Sequence, residues 1–314
     1  NIKSNFSGNG EFTKQCASWL VENTKCKEAL LVKSCTAALE MCAILLDIKH
    51  KDEIIMPSYT FVSTANAFAM RGGCPVFVDI DKKTLCIDPN KIEKNINKNT
   101  KAIVVVHYAG VSPNMNQILK IAKKYNLYII EDAAHGILCN YKKKALGSIG
   151  DLATISFHET KNIHCGEGGA LLINNPKFIK KARIIKDKGT NRDDFNKNIV
   201  KKYTWVNIGS SYNLSEINSS ILIEQLKRSK ETINNRMKIW RLYHKELKQL
   251  ETLKKLIRPD IPKYSKINGH IYYIIVDKKK RLKLINYLKK SKIISTFHYV
   301  PLHNSPFALK SYKT

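Results

Sequence analysis

Four short stretches of this sequence carry side chains whose types and spacing could do chemistry. The sharpest is Ser156-Phe157-His158-Glu159-Thr160-Lys161-Asn162, which leaves an apolar run. A lysine in such a place can form an imine with an aldehyde once desolvation or nearby cations depress its pKa. Another apolar run ends at Glu131-Asp132-Ala133-Ala134-His135-Gly136. A carboxylate there can hold a pyridine nitrogen protonated and make the ring an electron sink. Ser34-Cys35-Thr36-Ala37 opens a helical run. Free N–H groups and the positive end of the dipole suit a phosphate at that point, and the hydroxyls add donors. Gly166-Glu167-Gly168-Gly169 stands directly before a strand and suggests a tight backbone path near a ligand.

Each stretch alone also has a plain explanation: a helix cap, a solvated acidic turn, a surface lysine, a hairpin. Lys and Arg number 54, so most lysines must serve the surface. Other chemistries drop out on spacing. His158-Glu159 is not a zinc helix, because Asn162 stands where H-E-x-x-H needs its second histidine. The glycines do not form G-x-G-x-x-G. None of the cysteines, at 16, 26, 35, 42, 74, 86, 139 and 165, forms a C-x-x-C pair, so neither a zinc knuckle nor a redox motif is indicated. The order of the stretches is what carries weight. A helix-start phosphate cradle, an aromatic-containing segment, a strand-end aspartate and then a lysine is what a pyridoxal 5′-phosphate (PLP) site needs.

Alternating strands and helices must position these groups. Short apolar strands are expected at 52–57, 75–80, 101–107, 127–130, 152–157 and 170–173, with helices at 37–46, 61–71 and 115–125. Continuous apolar strands separated by helices predict a mainly parallel sheet covered on both faces, an α/β fold with ligands at the carboxyl ends of the strands. A long charged helix is expected over 219–250. Beyond it, strands at 271–276 and 295–299 and a basic helix near 280–290 suggest a smaller α+β domain. The division predicted is a large domain over 1–228 and a small one over 229–314, the latter expected to be incomplete, ending at Tyr312-Lys313-Thr314.

The chain has 314 residues, 43% of them apolar, which is enough for a sizeable core. It has no apolar run long enough for a transmembrane helix. The start, Asn1-Ile2-Lys3-Ser4-Asn5, lacks a secretory signal pattern. With reduced thiols as the plain reading, a cytoplasmic location is expected. The net charge of +28 invites a nucleic-acid reading. The lysines are spread along the chain beside abundant Asn and Ile, all with A/T-rich codons, and no RNA- or DNA-binding motif appears; no nucleic-acid or membrane partner is expected.

The chain resembles the DegT/DnrJ/EryC1/StrS family of sugar aminotransferases. The likeness rests on PSYTFVSTANAF (57–68), VHYAGV (106–111), EDAAHG (131–136), ALGSIGD (145–151), SFHETKN (156–162), GEGGALLIN (166–174), KGTNR (188–192), YTWVNIGSSY (203–212) and FHYVPLH (297–303). It implies the type I PLP-dependent aminotransferase fold and a homodimer with active sites shared between subunits. Lys161 would be the Schiff-base lysine and proton shuttle, and Asp132 would pair with the pyridine nitrogen. Phe61 would stack on the ring, His135 would lie near it, and Thr36, Ala37 and Ser156 would hold the phosphate. Asn213 would reach the neighbouring subunit's phosphate. His158, Arg192 and His298 would meet substrate. No metal is implied. The expected reaction takes an amino group from L-glutamate to a nucleotide-linked 4-keto-6-deoxyhexose for surface polysaccharide synthesis. Other keto-sugars, or a decayed non-catalytic relative, are the alternatives. Dehydratases of the family replace the lysine with histidine, and Lys161 is present.

Overall fold

The unbroken apolar runs become the middle of a seven-stranded sheet. The structure, a computed structural model, describes residues 8–312; the opening Asn1 to Asn5 stretch and the closing Lys313-Thr314 lie outside them. In chain order the elements are α1 (Glu11–Thr24), β1 (Glu28–Val32), α2 (Cys35–Leu45), β2 (Glu53–Pro57), α3 (Val62–Ala69), β3 (Cys74–Val78), β4 (Thr100–Val106), α4 (Met115–Tyr125) and β5 (Tyr128–Asp132). Then come β6 (Asn140–Tyr141), β7 (Lys144–Ala145), β8 (Leu152–Ser156), β9 (Gly169–Ile173), α5 (Ile179–Lys186), α6 (Arg192–Asn196) and α7 (Glu216–Lys227). The remainder is α8 (Ser229–Glu246), α9 (Lys248–Thr252), β10 (Ser265–Lys266), α10 (Lys278–Lys290) and α11 (Pro306–Ser311).

The sheet order is β1-β9-β8-β5-β4-β2-β3. The pairs β2–β3, β2–β4, β4–β5 and β5–β8 are parallel. Only β9 runs against its neighbours. Its first residue, Gly169, therefore lies beside Ser156 and Val32 at the edge where the parallel strands end. Val106 and Asp132 are partnered on the same edge. The β4 sequence TKAIVVV is buried almost throughout, because helices cover both faces of the sheet.

Helix α2 is apolar nearly all round and correspondingly buried. Ser34 caps it, its side chain accepting from Ala37 N–H at 3.1 Å. Helix α4 is the amphipathic one, burying Met115, Ile118, Ile121 and Ala122 between an Asn114 N-cap and a left-handed Asn126 C-cap. Helix α1 gives little sequence signal because it turns Thr13, Cys16, Leu20 and Thr24 inward. Its free N-terminal amides are met by the buried Glu216 of α7. That carboxylate accepts from Gly10 N and Phe12 N at 3.0 Å each and also from the Thr13 hydroxyl.

Three expectations are corrected. The helix expected over 219–250 is three helices. Arg228 leaves helical dihedrals, so α7 can lie against α1 while α8 turns to place Trp240 against Ile271, its Nε1 donating to the Ile271 carbonyl at 3.2 Å. The stretches 271–276 and 295–299 form no strands. Their backbone meets side chains or single bridges rather than a ladder: Ile275 bridges Ile257, and the His298 carbonyl accepts from the Tyr59 hydroxyl at 2.6 Å. The segment that does add a strand is β10, paired with β6. Among the described residues no helix is long and apolar enough to cross a membrane, and all eight cysteines are free thiols.

Candidate active site

The carboxyl edge of the sheet opens into a cavity of about 520 Å³. Lys161, Asp132 and Thr36 all line it, with Phe61, His135, Ser156, His158 and His298. Each arrives for a local reason. Asp132 is the last residue of β5, and strand alternation sends it the opposite way from Glu131. Glu131 is fully buried beneath the site. Its carboxylate accepts from His107 Nε2 at 2.8 Å and from the amides of Gly147, Ile149 and Gly150 at 3.0, 2.6 and 2.7 Å. Burial alone would raise its pKa, but His107 and the amides outweigh it, and the carboxyl stays below its ordinary range. Of the adjacent pair, one acid fastens the scaffold and the other faces the cavity.

Asp132 is held from α3 by the Thr64 hydroxyl, and its other oxygen accepts from Ala134 N–H at 3.2 Å. Burial raises its pKa above the usual carboxylate range, with Thr64, Ala134 and Lys161 pulling the other way. The fold thus buries an acid that a cation at the ring nitrogen would return to its charged form. Lys161 follows a tight turn after β8, its N–H donating to the His158 carbonyl at 2.9 Å. Burial lowers its pKa, opposed by Cys35 and Asp132. This is the direction that frees an amine for an aldehyde.

The start of α2 faces the same cavity. Ser34, Cys35 and Thr36 line it, and the Thr36 and Ser63 hydroxyls lie 2.8 Å apart. Gly169 packs on this helix start: a Cβ there would collide with Ser34 and come within 2.5 Å of Cys35 N. Only glycine lets β9 approach so closely. Ala37 supplies its amide to the Ser34 cap and is itself buried, so it sits behind the cavity wall. Phe61 is the N-cap residue of α3, 58% exposed, tilted against Tyr299 with ring centres 6.5 Å apart. The residues fit PLP: an amine with lowered pKa, a buried acid without a fixed cation, an aromatic ring at the mouth, and a helix start with hydroxyls for a phosphate.

Two expected residues stand elsewhere. Asn213 and Arg192 line a second, basic cavity of about 740 Å³ bounded by α1, α5 and α6, not the Lys161 cavity of the same chain. Asn213 is drawn there by its bridge to Val32 at the end of β1. Conversely, the cavity gains residues that sequence reasoning missed: Ser63, Thr64, His270, Ile271 and Tyr299. Thr64 could have been found, since it lies one helical turn from Phe61 on the same face. His270 follows a left-handed turn at Gly269, φ +65°, and has no periodic signal. No group of three or more potential metal ligands occurs among the described residues.

A model of the DegT/DnrJ/EryC1/StrS aminotransferase family matches residues 1–314. An uncharacterized protein of Methanocaldococcus jannaschii, MJ1066, is 41% identical over 294 residues, 91% of this chain and 75% of that one. The spore coat polysaccharide biosynthesis protein SpsC of Bacillus subtilis is 34% identical over 310 residues, 96% of this chain and 78% of that protein. The solved structure of Helicobacter pylori PseC, an aminotransferase involved in the biosynthesis of pseudoaminic acid, superposes with a TM-score of 0.90 at 28% identity. It covers 100% of this chain and 83% of PseC. Other superposable structures hold PLP or its amine form, pyridoxamine phosphate.

Proposed function

The chain belongs to the DegT/DnrJ/EryC1/StrS aminotransferase family, and from that premise we propose that it moves the amino group of L-glutamate to carbon 4 of dTDP-4-keto-6-deoxyglucose. The product would be dTDP-4-amino-4,6-dideoxygalactose, for a surface polysaccharide such as enterobacterial common antigen. The coarser statement needs no proposal: it is a PLP-dependent sugar aminotransferase with the type I fold. The resemblance of KGTNR and YTWVNIGSSY to that branch supports the particular sugar. A different keto-sugar is the second reading, favoured by PseC, an aminotransferase involved in the biosynthesis of pseudoaminic acid.

The observation that carries the site assignment is that Lys161, in the turn after β8, and Asp132, at the end of β5, line one cavity with the start of α2. PLP, when bound, supplies an aldehyde for amines and a ring that withdraws electrons. The rest falls to this chain. Lys161 would hold and give back a proton at its ε-nitrogen as general base and acid. Asp132, oriented by Thr64, would keep the ring nitrogen charged. Thr36, Ser34, Ser63 and Ser156 would anchor the phosphate with the α2 amides, and Phe61 would cover the ring. His135, His158 and His298 line the same cavity and would meet a sugar or an amino-acid carboxylate.

A second copy of the chain belongs to the proposal, in a cytoplasmic homodimer. Asn213 and Arg192 face a separate cavity, and the nearby segment exposes Tyr203, Trp205, Val206 and Ile208. Such an apolar band suits a subunit interface, which would bring Asn213 and Arg192 to the partner's cavity. The division into a 1–228 cofactor domain and a 229–314 small domain is proposed with it. Incubation with PLP, glutamate and a panel of nucleotide keto-sugars, followed by mass analysis, tests the whole reading. An amino-sugar from the dTDP-4-keto substrate alone supports it; amination of another keto-sugar in its place selects the second reading.

A further inference from the structure

Four imidazoles border the Lys161 cavity, those of His135, His158, His270 and His298. His298 belongs to the segment 297–303, which forms no strand and is fastened instead to the loop between β2 and α3. Leu302 N–H donates to the Ser58 carbonyl at 2.9 Å, and the Ser58 hydroxyl lies 2.6 Å from His303 Nδ1. The Tyr59 hydroxyl donates to the His298 carbonyl at 2.6 Å. Tyr299 stacks on the His298 ring, with centres 4.5 Å apart and planes inclined by 5°. Backbone and ring plane are both held.

A buried phenol then sorts the ring nitrogens. The Tyr108 hydroxyl lies 3.2 Å from His298 Nδ1, and either group could be the donor. The surroundings decide. Tyr108 stands in the turn after β4, 3% exposed, and burial pushes its phenol up, so it keeps its proton and must place it on an acceptor. The oxygen of Tyr59, whose own proton goes to the His298 carbonyl, is 3.5 Å away, at the limit of a hydrogen bond. Nδ1 is nearer, and a proton given to it leaves the ring's own proton on Nε2. That nitrogen has no partner among the described residues and is not sealed in the interior. Burial, then Lys161, lowers the His298 pKa, so the ring is neutral.

We propose that Tyr108 is a positioning residue for substrate: its hydroxyl donates to His298 Nδ1 and so keeps Nε2–H available as a neutral donor to an acceptor oxygen in the Lys161 cavity. The other rings are set differently. His135 Nδ1 accepts from the Ala109 main chain at 3.2 Å. His158 has the Thr160 hydroxyl at 3.0 Å on Nδ1 and Glu167 at 3.4 Å on Nε2. His270 Nδ1 faces the Asn162 side-chain oxygen at 3.0 Å. Only His298 combines a side-chain hydroxyl on Nδ1 with an open Nε2 among the described residues. The acceptor oxygen belongs to the carboxylate of L-glutamate or to the sugar nucleotide, and separate KM values tell the two apart. Without the Tyr108 hydroxyl the ring would populate both tautomers, one of which sets a lone pair against the ligand's lone pair.

The inference rests on the reading of the Lys161 cavity as the substrate cavity, and its test separates the two. Long-range ¹⁵N–¹H spectra of the histidine-labelled, PLP-loaded chain report each tautomer, and loss of one set of signals in His298→Gln assigns His298. The proton should be on Nε2 in the wild type and shared between the nitrogens in Tyr108→Phe. With dTDP-4-keto-6-deoxyglucose and L-glutamate as substrates, Tyr108→Phe should raise one of the two KM values by about three- to tenfold, with kcat nearly unchanged. In a His298→Phe background the same substitution should add nothing, because both act through one hydrogen bond. His298→Gln, whose amide can stand in for Nε2–H, should stay near the wild-type KM, which keeps the test open should Tyr108→Phe not fold. A wild-type proton on Nδ1, unchanged KM values in Tyr108→Phe, a further rise in the His298→Phe background, or a His298→Gln variant as impaired as His298→Phe overturns the proposal. Borohydride trapping of PLP with peptide mapping reports on the cavity itself. A label on some other lysine removes the reading of the cavity, and the proposal with it. A label on Lys161 with unchanged KM values removes only the role of Tyr108.

Discussion

The Thr64 hydroxyl donates to Asp132 Oδ2 at 2.7 Å, and Thr60 lies behind it, the two threonine oxygens 2.9 Å apart. A turn of α3 thereby aims an acid that belongs to β5. Thr64→Val keeps the shape and removes the donor. Affinity for PLP should fall about tenfold, the worth of a hydrogen bond to a charged group, while thermal stability changes little. A spectroscopic titration with PLP checks this, and unaltered affinity would detach Thr64 from the site.

Lys161→Ala should abolish both turnover and the absorbance of the lysine-bound cofactor. The loss in rate should reach at least the ~10²–10⁴ expected for a placed proton-transfer group. Retention of the band would mean that another lysine holds PLP.

Glu131 makes stability depend on acid. Its carboxyl titrates lower in the folded chain than its ordinary 4.5, so its contribution is present above that value and fades as pH falls through the lower, folded one. Glu131→Gln, which leaves amide donors facing an uncharged group, should cost about 3 kcal/mol at neutral pH. Its melting temperature should also fall less steeply than that of wild type below about pH 4.5. Parallel acid limbs for the two proteins would refute the assignment.

Gly169→Ala should push β9 away from the start of α2. A cost of about 1–3 kcal/mol is expected for such overpacking, together with weaker PLP binding because the phosphate cradle moves. Denaturant melts with and without PLP separate the two effects; equal losses in both would show that the cradle had not moved.

Trp205, 78% exposed, tests the subunit interface. Trp205→Asp should shift the protein from dimer to monomer in sedimentation and reduce turnover, without altering the fold. A dimer unaffected by the change would place the interface elsewhere.

Much of the site was legible because it lies where apolar strands stop. Asp132, Ser156 and the start of α2 follow short strands rich in Ile, Leu, Val and Ala, and the parallel arrangement brings such ends together whatever the loops do. What escaped depends on single tertiary contacts. Helix α1 hides its amphipathicity behind Thr and Cys and is fastened by a glutamate far along the chain. His270 reaches the cavity only through the turn at Gly269 and the anchoring of Asn268. Residues 271–276 have strand composition but no strand beside them, so β-propensity found no ladder to complete.

Asn162 follows Lys161 in the chain, and its side chain is tied to Asn268 and His270 on the far bank of the cavity. The two banks are thus stitched together one residue from Lys161. Any shift of the far bank would therefore tug on the backbone next to Lys161.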